Sequence, residues 1–205
     1  MYETLLFKES PYLGGAFLLA PLVLYYNNYT KATAVFVVLF IFLLFFYRYK
    51  PHNITYPDNV LISPNEGLIT SIIVKDNLIH VSVYMDVFNN HTQIYPINGT
   101  VIDRIYDNSG IFNLVVEKSK CRDNEKKIHT ILSNNNKLIT VTQIAGFFTR
   151  RITSSEKVPE KIEAGQYLGM IKFGSRVDIS FPGDINRLKV KLNDKISIGD
   201  VLYIF

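Results

Sequence analysis

Cysteine is almost absent. Cys121 stands alone in a chain of 205 residues, which excludes an intramolecular disulfide and any cysteine-based metal site. Histidine is scarce as well. His52, His80, His91 and His129 form neither a His-Glu-x-x-His nor a His-x-His pattern, so no metal site and no zinc peptidase is expected. No basic run carries interleaved aromatics, and no nucleic-acid partner is expected. No Met-Lys-Met or Asp-Lys-Ala motif offers the modifiable lysine of a lipoyl or biotin carrier. Ser175 is followed by Arg-Val-Asp, so it is not the serine of a Gly-x-Ser-x-Gly hydrolase elbow. The formal net charge is only +4, compatible with an anionic membrane surface and equally with no charged partner at all.

Apolar residues make up 48% of the chain, and their excess lies before residue 48. Tyr12 to Tyr26 is nearly free of charge, and Ala32 to Tyr47 is more apolar still. The polar turn Asn27-Asn-Tyr-Thr-Lys31 separates them. The pattern predicts an N-terminal α-helical membrane hairpin over residues 1–50, with helices at about 12–26 and 32–47. Each segment is shorter than the roughly 20 residues that cross a typical hydrocarbon core. A spanning hairpin and a shallow one that enters and leaves the same face both stay open. Pro21 interrupts the first helix, and Tyr12, Tyr25, Tyr26 and Tyr47 occupy interfacial positions. Two apolar segments without a small-residue cleavage site argue against a signal peptide. Lys8, Arg48 and Lys50 flank the hairpin, against Lys31 in its loop. That bias places both ends, and the domain that follows, on the cytoplasmic face of the membrane.

After Pro51 short β-branched and aromatic runs recur between Asn, Asp, Gly and Pro. Strands are expected at Gly67–Lys75, Leu78–Met85, Thr100–Tyr106, Ile111–Glu117, Lys127–Leu132, Lys137–Ile144, Tyr167–Lys172, Val177–Phe181, Leu188–Leu192 and Val201–Phe205. Leu188, Val190 and Leu192 alternate with Lys189 and Lys191, as in a half-buried strand. A helical period shows only briefly, around Phe147–Ile152. The fold class is therefore mostly β. Turn glycines followed by alternating apolar residues, at Pro96–Ile105 and Val190–Leu202, suggest a barrel-sandwich. His129 falls in an expected strand and reads as structural.

Five motifs occur in order. They are Phe45-Phe-Tyr-Arg48; Ser63-Pro-Asn-Glu-Gly67; Phe88-Asn-Asn-His91 with Pro96-Ile-Asn-Gly99; Asn124-Glu125, then Gln143-Ile-Ala-Gly146 with Arg150-Arg151-Ile152; and Gly169-Met-Ile-Lys-Phe-Gly-Ser-Arg-Val-Asp178. In this order, behind a membrane hairpin, the chain resembles the short-form phosphatidylserine decarboxylase proenzymes, a pyruvoyl-dependent family. Single motifs are weak; the series covers almost the whole chain.

The resemblance implies a catalytic domain over residues 51–205 that cuts itself between Gly174 and Ser175. The products are a β chain (1–174) and an α chain (175–205), held together as a heterodimer. Ser175 becomes a covalent pyruvoyl group that forms a Schiff base with the amine of phosphatidylserine and acts as an electron sink. Glycine at 174 permits backbone geometry that a Cβ would resist. His91, whose ordinary pKa lies near neutrality, is implied as the proton donor. Glu66 stands where the family has aspartate, as cleavage base or relay, with its carboxylate one methylene further out. Ile94 stands where longer relatives have a second histidine. Arg176 and Arg151, with Arg150 and Lys172 beside them, are candidates for the lipid phosphate or carboxylate. A related lipid with a serine headgroup, such as archaetidylserine, and a degenerate, non-catalytic membrane-anchored barrel remain alternatives.

Overall fold

The structure is a computed structural model that describes residues 3–52, 54–107, 124–146, 152–172 and 175–205, with the backbone alone for Ser175. It divides into two compact units, Met1–Lys50 and Pro51–Phe205.

The first unit is a helical hairpin. A short helix α1 (Leu6–Glu9) precedes α2 (Pro11–Tyr26) and α3 (Thr30–Phe46). Proline opens α2, where its missing N–H costs nothing. At the far end the Asn27 side chain donates to the Val23 carbonyl at 2.8 Å. Asn28 takes φ +61°, a left-handed turn that asparagine tolerates better than most residues. Phe17 of α2 and Phe36 of α3 pack with ring centroids 5.4 Å apart. Strands β1 (Glu3–Thr4) and β2 (Arg48–Tyr49) pair antiparallel and tie the ends of the hairpin. Many apolar side chains of both helices stay exposed, among them Leu22, Val23, Val38 and Ile41. No described helix is long and apolar enough to cross a membrane.

The second unit is mostly β. Its strands are β3 (Val60–Ile62), β4 (Gly67–Lys75), β5 (Leu78–Met85), β6 (Thr92–Ile94), β7 (Gly99–Asp107), β8 (Lys126–Ser133) and β9 (Leu138–Ala145). They are followed by β10 (Ile152–Ser154), β11 (Glu160–Ile162), β12 (Tyr167–Ile171), β13 (Ser175–Pro182), β14 (Lys195–Ile196) and β15 (Val201–Ile204). Eight of them form one sheet in the order β11-β7-β8-β9-β13-β5-β4-β14. Two smaller sheets, β10-β12-β6 and β15-β3, contribute to the same core.

Period-two alternation explains that core. Ile79, Val81, Val83 and Met85 of β5 are buried, as are Val177, Ile179 and Phe181 of β13. Val141 from β9 and Ile131 from β8 join them. Phe181, Tyr203 and Phe205 form an aromatic cluster with centroids 5.0–6.2 Å apart.

Two expectations are corrected. The sheet does not close into a barrel among the described residues. Closure needs a continuous ladder between the first and last strands. Here the outer strands β11 and β14 are three and two residues long and pair only inward, with β7 and β4. The strand expected at Leu188–Leu192 is also absent. A 3₁₀ turn at Ile185–Arg187 precedes it, and Asp194 accepts from the Lys191 amide at 2.7 Å, turning the chain. Leu188 and Val190 still pack on the core, which accounts for the alternation. The expected strand at 111–117 and the Phe147–Arg151 part of the brief helical period lie outside the described residues. Ile152, the last residue of that period, opens β10.

Phe181→Ala is expected to remove about 3–5 kcal/mol of stability, by the transfer and cavity terms of a buried aromatic. A lower urea midpoint at unchanged slope would show this.

Candidate active site

Ser175 and Arg176 begin β13, and the strand paired with them on one side, β5, leads to the loop of His91. Ser175 opens that strand, paired with Met85 of β5 on one side and with Ala145 of β9 on the other. Met85 ends β5, and the loop Asp86–His91 follows at once. That loop leads into β6, whose Thr92 pairs with Met170 of β12. The residues that bracket the expected cleavage point, Met170 and Ser175, are therefore paired to the two ends of the His91 loop. Gly174 itself lies outside the described residues.

The loop is built from side-chain to backbone bonds. Asp86 Oδ1 accepts from the amides of Phe88 and Asn89 at 2.8 and 3.1 Å, and Asn89 Oδ1 accepts from the Asp86 amide at 2.9 Å. Asn90 Oδ1 accepts from the amide and hydroxyl of Thr92. Such short polar side chains set turns by mimicking backbone partners.

His91 is fully buried. Its Nδ1 lies 2.9 Å from the Asn89 carbonyl oxygen, which only accepts, so Nδ1 carries a proton. In the neutral ring the lone pair then sits on Nε2. The Asn89 side chain donates to Glu66 Oε1 at 2.8 Å, so Asn89 joins the two expected site residues. Asn89 belongs to the Phe-Asn-x-His motif, which by itself points to no role for it.

Glu66 sits in the turn before β4. Ser63 Oγ donates to the Asn65 carbonyl at 2.7 Å and sets that turn. Gly67 follows with φ +156°, and a Cβ there would stand 2.2 Å from the Tyr84 carbonyl oxygen, so the close approach requires glycine. Glu66, Asp86, Asn89, Lys195 and Ser197 line a cleft of about 230 Å³. A larger cleft of about 650 Å³, between the His52–Asp58 segment and Lys161–Gln166, holds none of the expected site residues.

Arg176 is 7% exposed and pairs with Asp178 at 2.9 Å. Its Nε and Asp178 Oδ1 are buried without a hydrogen-bond partner among the described residues. Lys172 is half-buried beyond β12. Arg150 and Arg151 lie outside the described residues. Asn124 and Glu125 brace Ala145, the strand partner of Ser175. The Asn124 side chain donates to the Ala145 carbonyl at 2.8 Å, and the Ala145 amide donates to the Glu125 carbonyl at 2.9 Å.

Beneath the site lies a buried polar group that motif reading touched only at Gln143. His129 Nε2 bonds Gln143 Oε1 at 2.9 Å, and Gln143 Nε2 donates to Gln93 Oε1 at 2.8 Å. Arg104 Nε donates to His129 Nδ1 at 3.2 Å and its guanidinium pairs with Glu160. Burial, opposed by the Gln143 bond and reinforced by the Arg104 charge, lowers the His129 pKa to about 4. Burial also pushes the Tyr95 hydroxyl, beside Arg104 and Glu160, up to about 12. For Glu160 burial acts upward, but hydrogen bonds from Arg104 and Tyr95 outweigh it and hold the carboxyl low.

These elements bring together a serine that opens a doubly paired strand, a loop that carries a buried histidine, and a carboxylate tied to that loop through Asn89. A family model described as phosphatidylserine decarboxylase matches residues 39–203. Three curated relatives are each named phosphatidylserine decarboxylase proenzyme. The one from Ralstonia pickettii (strain 12J) is 33% identical over 193 residues, 91% of this chain and 88% of its own length. That from Geotalea uraniireducens (strain Rf4) is 31% identical over 176 residues, covering 82% and 81%. That from Geotalea daltonii is 29% identical over 200 residues, covering 94% and 92%. No solved structure matches. The chain belongs to the phosphatidylserine decarboxylase family and is an enzyme of that class, a carboxy-lyase.

His129 makes stability depend on pH. Its folded pKa lies near 4, below the ordinary value of 6.5. Between these values the unfolded chain takes up a proton that the folded chain refuses. Stability is expected to fall as pH drops from about 6.5 to about 4, from this group, and His129→Gln should flatten that slope. Urea denaturation across the interval measures it.

Proposed function

We propose that this chain cuts itself between Gly174 and Ser175 and then converts phosphatidylserine to phosphatidylethanolamine and CO2, using a pyruvoyl group made from Ser175. The observation that carries this reading is the register around β13: the residues bracketing Gly174 are paired to both ends of the loop that holds His91. The family match supports the substrate, and the relatives' name, proenzyme, supports maturation by cleavage.

In the first stage the Ser175 hydroxyl attacks the Gly174 carbonyl, and the peptide bond becomes an ester with a free amine on residue 175. Loss of the Ser175 α-proton expels the Gly174 carboxylate and leaves a dehydroalanine. Water then replaces its nitrogen, and ammonia departs. Glu66, held by Asn89, is the candidate base or relay for these proton movements.

The setting fits a pyruvoyl group. A new N-terminus at residue 175 would begin at the first residue of a strand fixed by Met85 and Ala145. The group supplies an electron sink for the loss of CO2. His91, with its Nδ1 proton committed to the Asn89 carbonyl, would take up a second proton at Nε2 and, as the imidazolium, deliver it to the carbon that loses the carboxylate, returning to the neutral ring. Arg176 Nε, buried and without a partner among the described residues, is a donor for the headgroup phosphate or carboxylate. Arg151 is a second candidate for that role.

The hairpin supports work at a bilayer. Its helices are apolar on all sides and leave large apolar residues exposed. At 16 and 17 residues they suit shallow embedding, with the catalytic domain on the cytoplasmic face. The cleaved α and β chains would remain together as a heterodimer, because β13 pairs with β5 and β9.

Intact-mass spectrometry of purified protein tests the reading. The expected product is a fragment Ser175–Phe205 that has lost ammonia and begins with a carbonyl, while Ser175→Ala stays full length. A wild-type chain found only uncut would overturn it and favour a non-catalytic membrane module. Asn89→Ala is expected to slow maturation on the order of tenfold or more, because it frees Glu66 from its side-chain partner and removes the Asn89 Oδ1 acceptor of the Asp86 amide that shapes the His91 loop. A time course of cleavage by gel would show it.

A further inference from the structure

The buried polar groups beneath the site form one chain of hydrogen bonds with a single direction. Arg104 Nε donates to His129 Nδ1 at 3.2 Å, so the neutral ring carries its proton on Nε2 and donates to Gln143 Oε1 at 2.9 Å. Gln143 Nε2 donates to Gln93 Oε1 at 2.8 Å, and Gln93 Nε2 donates to the His91 carbonyl at 2.6 Å. One end is a guanidinium, which only donates; the other is a carbonyl, which only accepts. The chain cannot be reversed, so it fixes both amide orientations and the His129 tautomer. His129, Gln143, Gln93 and His91 are all 0% exposed, and no bulk water competes for these bonds.

The acceptor at the end has a second partner. The His91 carbonyl also receives the Ile171 amide, at 3.2 Å, from the strand that leads toward Ser175. The chain thus ends where the histidine loop meets the strand feeding the cleavage point. Gln143 is also two residues before Ala145, the register partner of Ser175.

We propose that Gln143 and Gln93 are positioning residues, whose one-way hydrogen-bond chain from Arg104 sets the place of His91 against the Ser175 end of β13 for reaction. This rests on the reading of His91 as a proton donor in the proposed function. The two glutamines touch no substrate. They act by fixing the His91 backbone, and an ångström of displacement there costs up to about a hundredfold in rate.

Gln143→Glu tests direction rather than bulk. As the neutral acid, glutamate keeps every bond: its carbonyl oxygen accepts from His129 and its hydroxyl donates to Gln93. As the carboxylate it only accepts, so the Gln93 amide must turn its NH2 toward residue 143 and withdraw it from His91. Protonating His129 instead would cost its bond from Arg104. Arg104, Lys127 and Glu156 are the charged groups that act on His129 here. Gln93→Glu works the same way, its acid hydroxyl donating to the His91 carbonyl.

The experiment uses the full chain in detergent micelles with phosphatidylserine, matured at low pH. The kcat, KM and folded fraction are then read across pH. Both variants are expected to match wild type while the buried acid is protonated. On its ionisation they should lose on the order of tenfold to a hundredfold in kcat at unchanged KM and folded fraction. Wild-type pH profiles in both variants would overturn the proposal. So would losses that only track unfolding, or failure of both to fold at a pH where wild type folds and the introduced acid is protonated. His91→Ala separates the two readings. Normal decarboxylation in that variant sinks the role of His91 itself. An inactive His91→Ala beside wild-type profiles at 143 and 93 sinks only the positioning chain.

Discussion

Everything in the catalytic unit depends on β13 being held from both sides. Antiparallel ladders to β5 and β9 run from Ser175 deep into the strand, and Val177, Ile179 and Phe181 anchor it in the core. A strand that is central rather than at an edge has its amides and carbonyls committed on both flanks. Its first residue therefore inherits a fixed position from bonds made farther along. The neighbouring strands bring the rest. β5 delivers the loop of Asp86–His91, and β9 delivers Ala145, which Asn124 and Glu125 brace.

Around that frame the protein keeps an unusual amount of polarity inside a β core. His91, Gln93, Gln143 and His129 are fully buried and linked to one another rather than to solvent. A buried polar group without a partner costs about 1–3 kcal/mol, so a half-satisfied version would be worse than an apolar core. Each of these bonds is made. Stability alone gives no reason to prefer such a network over packed Val and Ile. Its continuity with the histidine loop fits the positioning role proposed for Gln143 and Gln93.

The sequence showed the architecture unevenly, for physical reasons. β4 and β5 are legible to the residue, because two runs rich in β-branched residues are bounded by Asp76-Asn77, both at positive φ. β3, β6, β10, β11 and β14 went unread, since two or three residues carry no periodicity. Leu188 and Val190 misled in the opposite sense: apolar packing produced a strand-like pattern without a ladder. Closure of a sheet depends on contacts between distant ends, and turn glycines do not report it. At the site, the motifs point to Glu66, His91 and Ser175, while the bond from Asn89 to Glu66 and the bonds of Gln93 and Gln143 become visible only once the strands are in register. A glutamine two residues before Ala145 looks like any strand glutamine until its partner at 93 is placed opposite.

The last three strands carry a consequence of their own. β13, β14 and β15 all lie after Ser175, and their partners β4, β5, β9 and β3 all lie before it. A cut at that serine would leave both fragments woven through the same core. Folding begins as a first-order process within one chain. After the cut, recovery from unfolding would be second-order, requiring two molecules to meet, and so would depend on concentration. The lifetime of the mature protein would then be set by its rate of opening, not by an equilibrium. Such a molecule folds once as a single chain and unfolds as two.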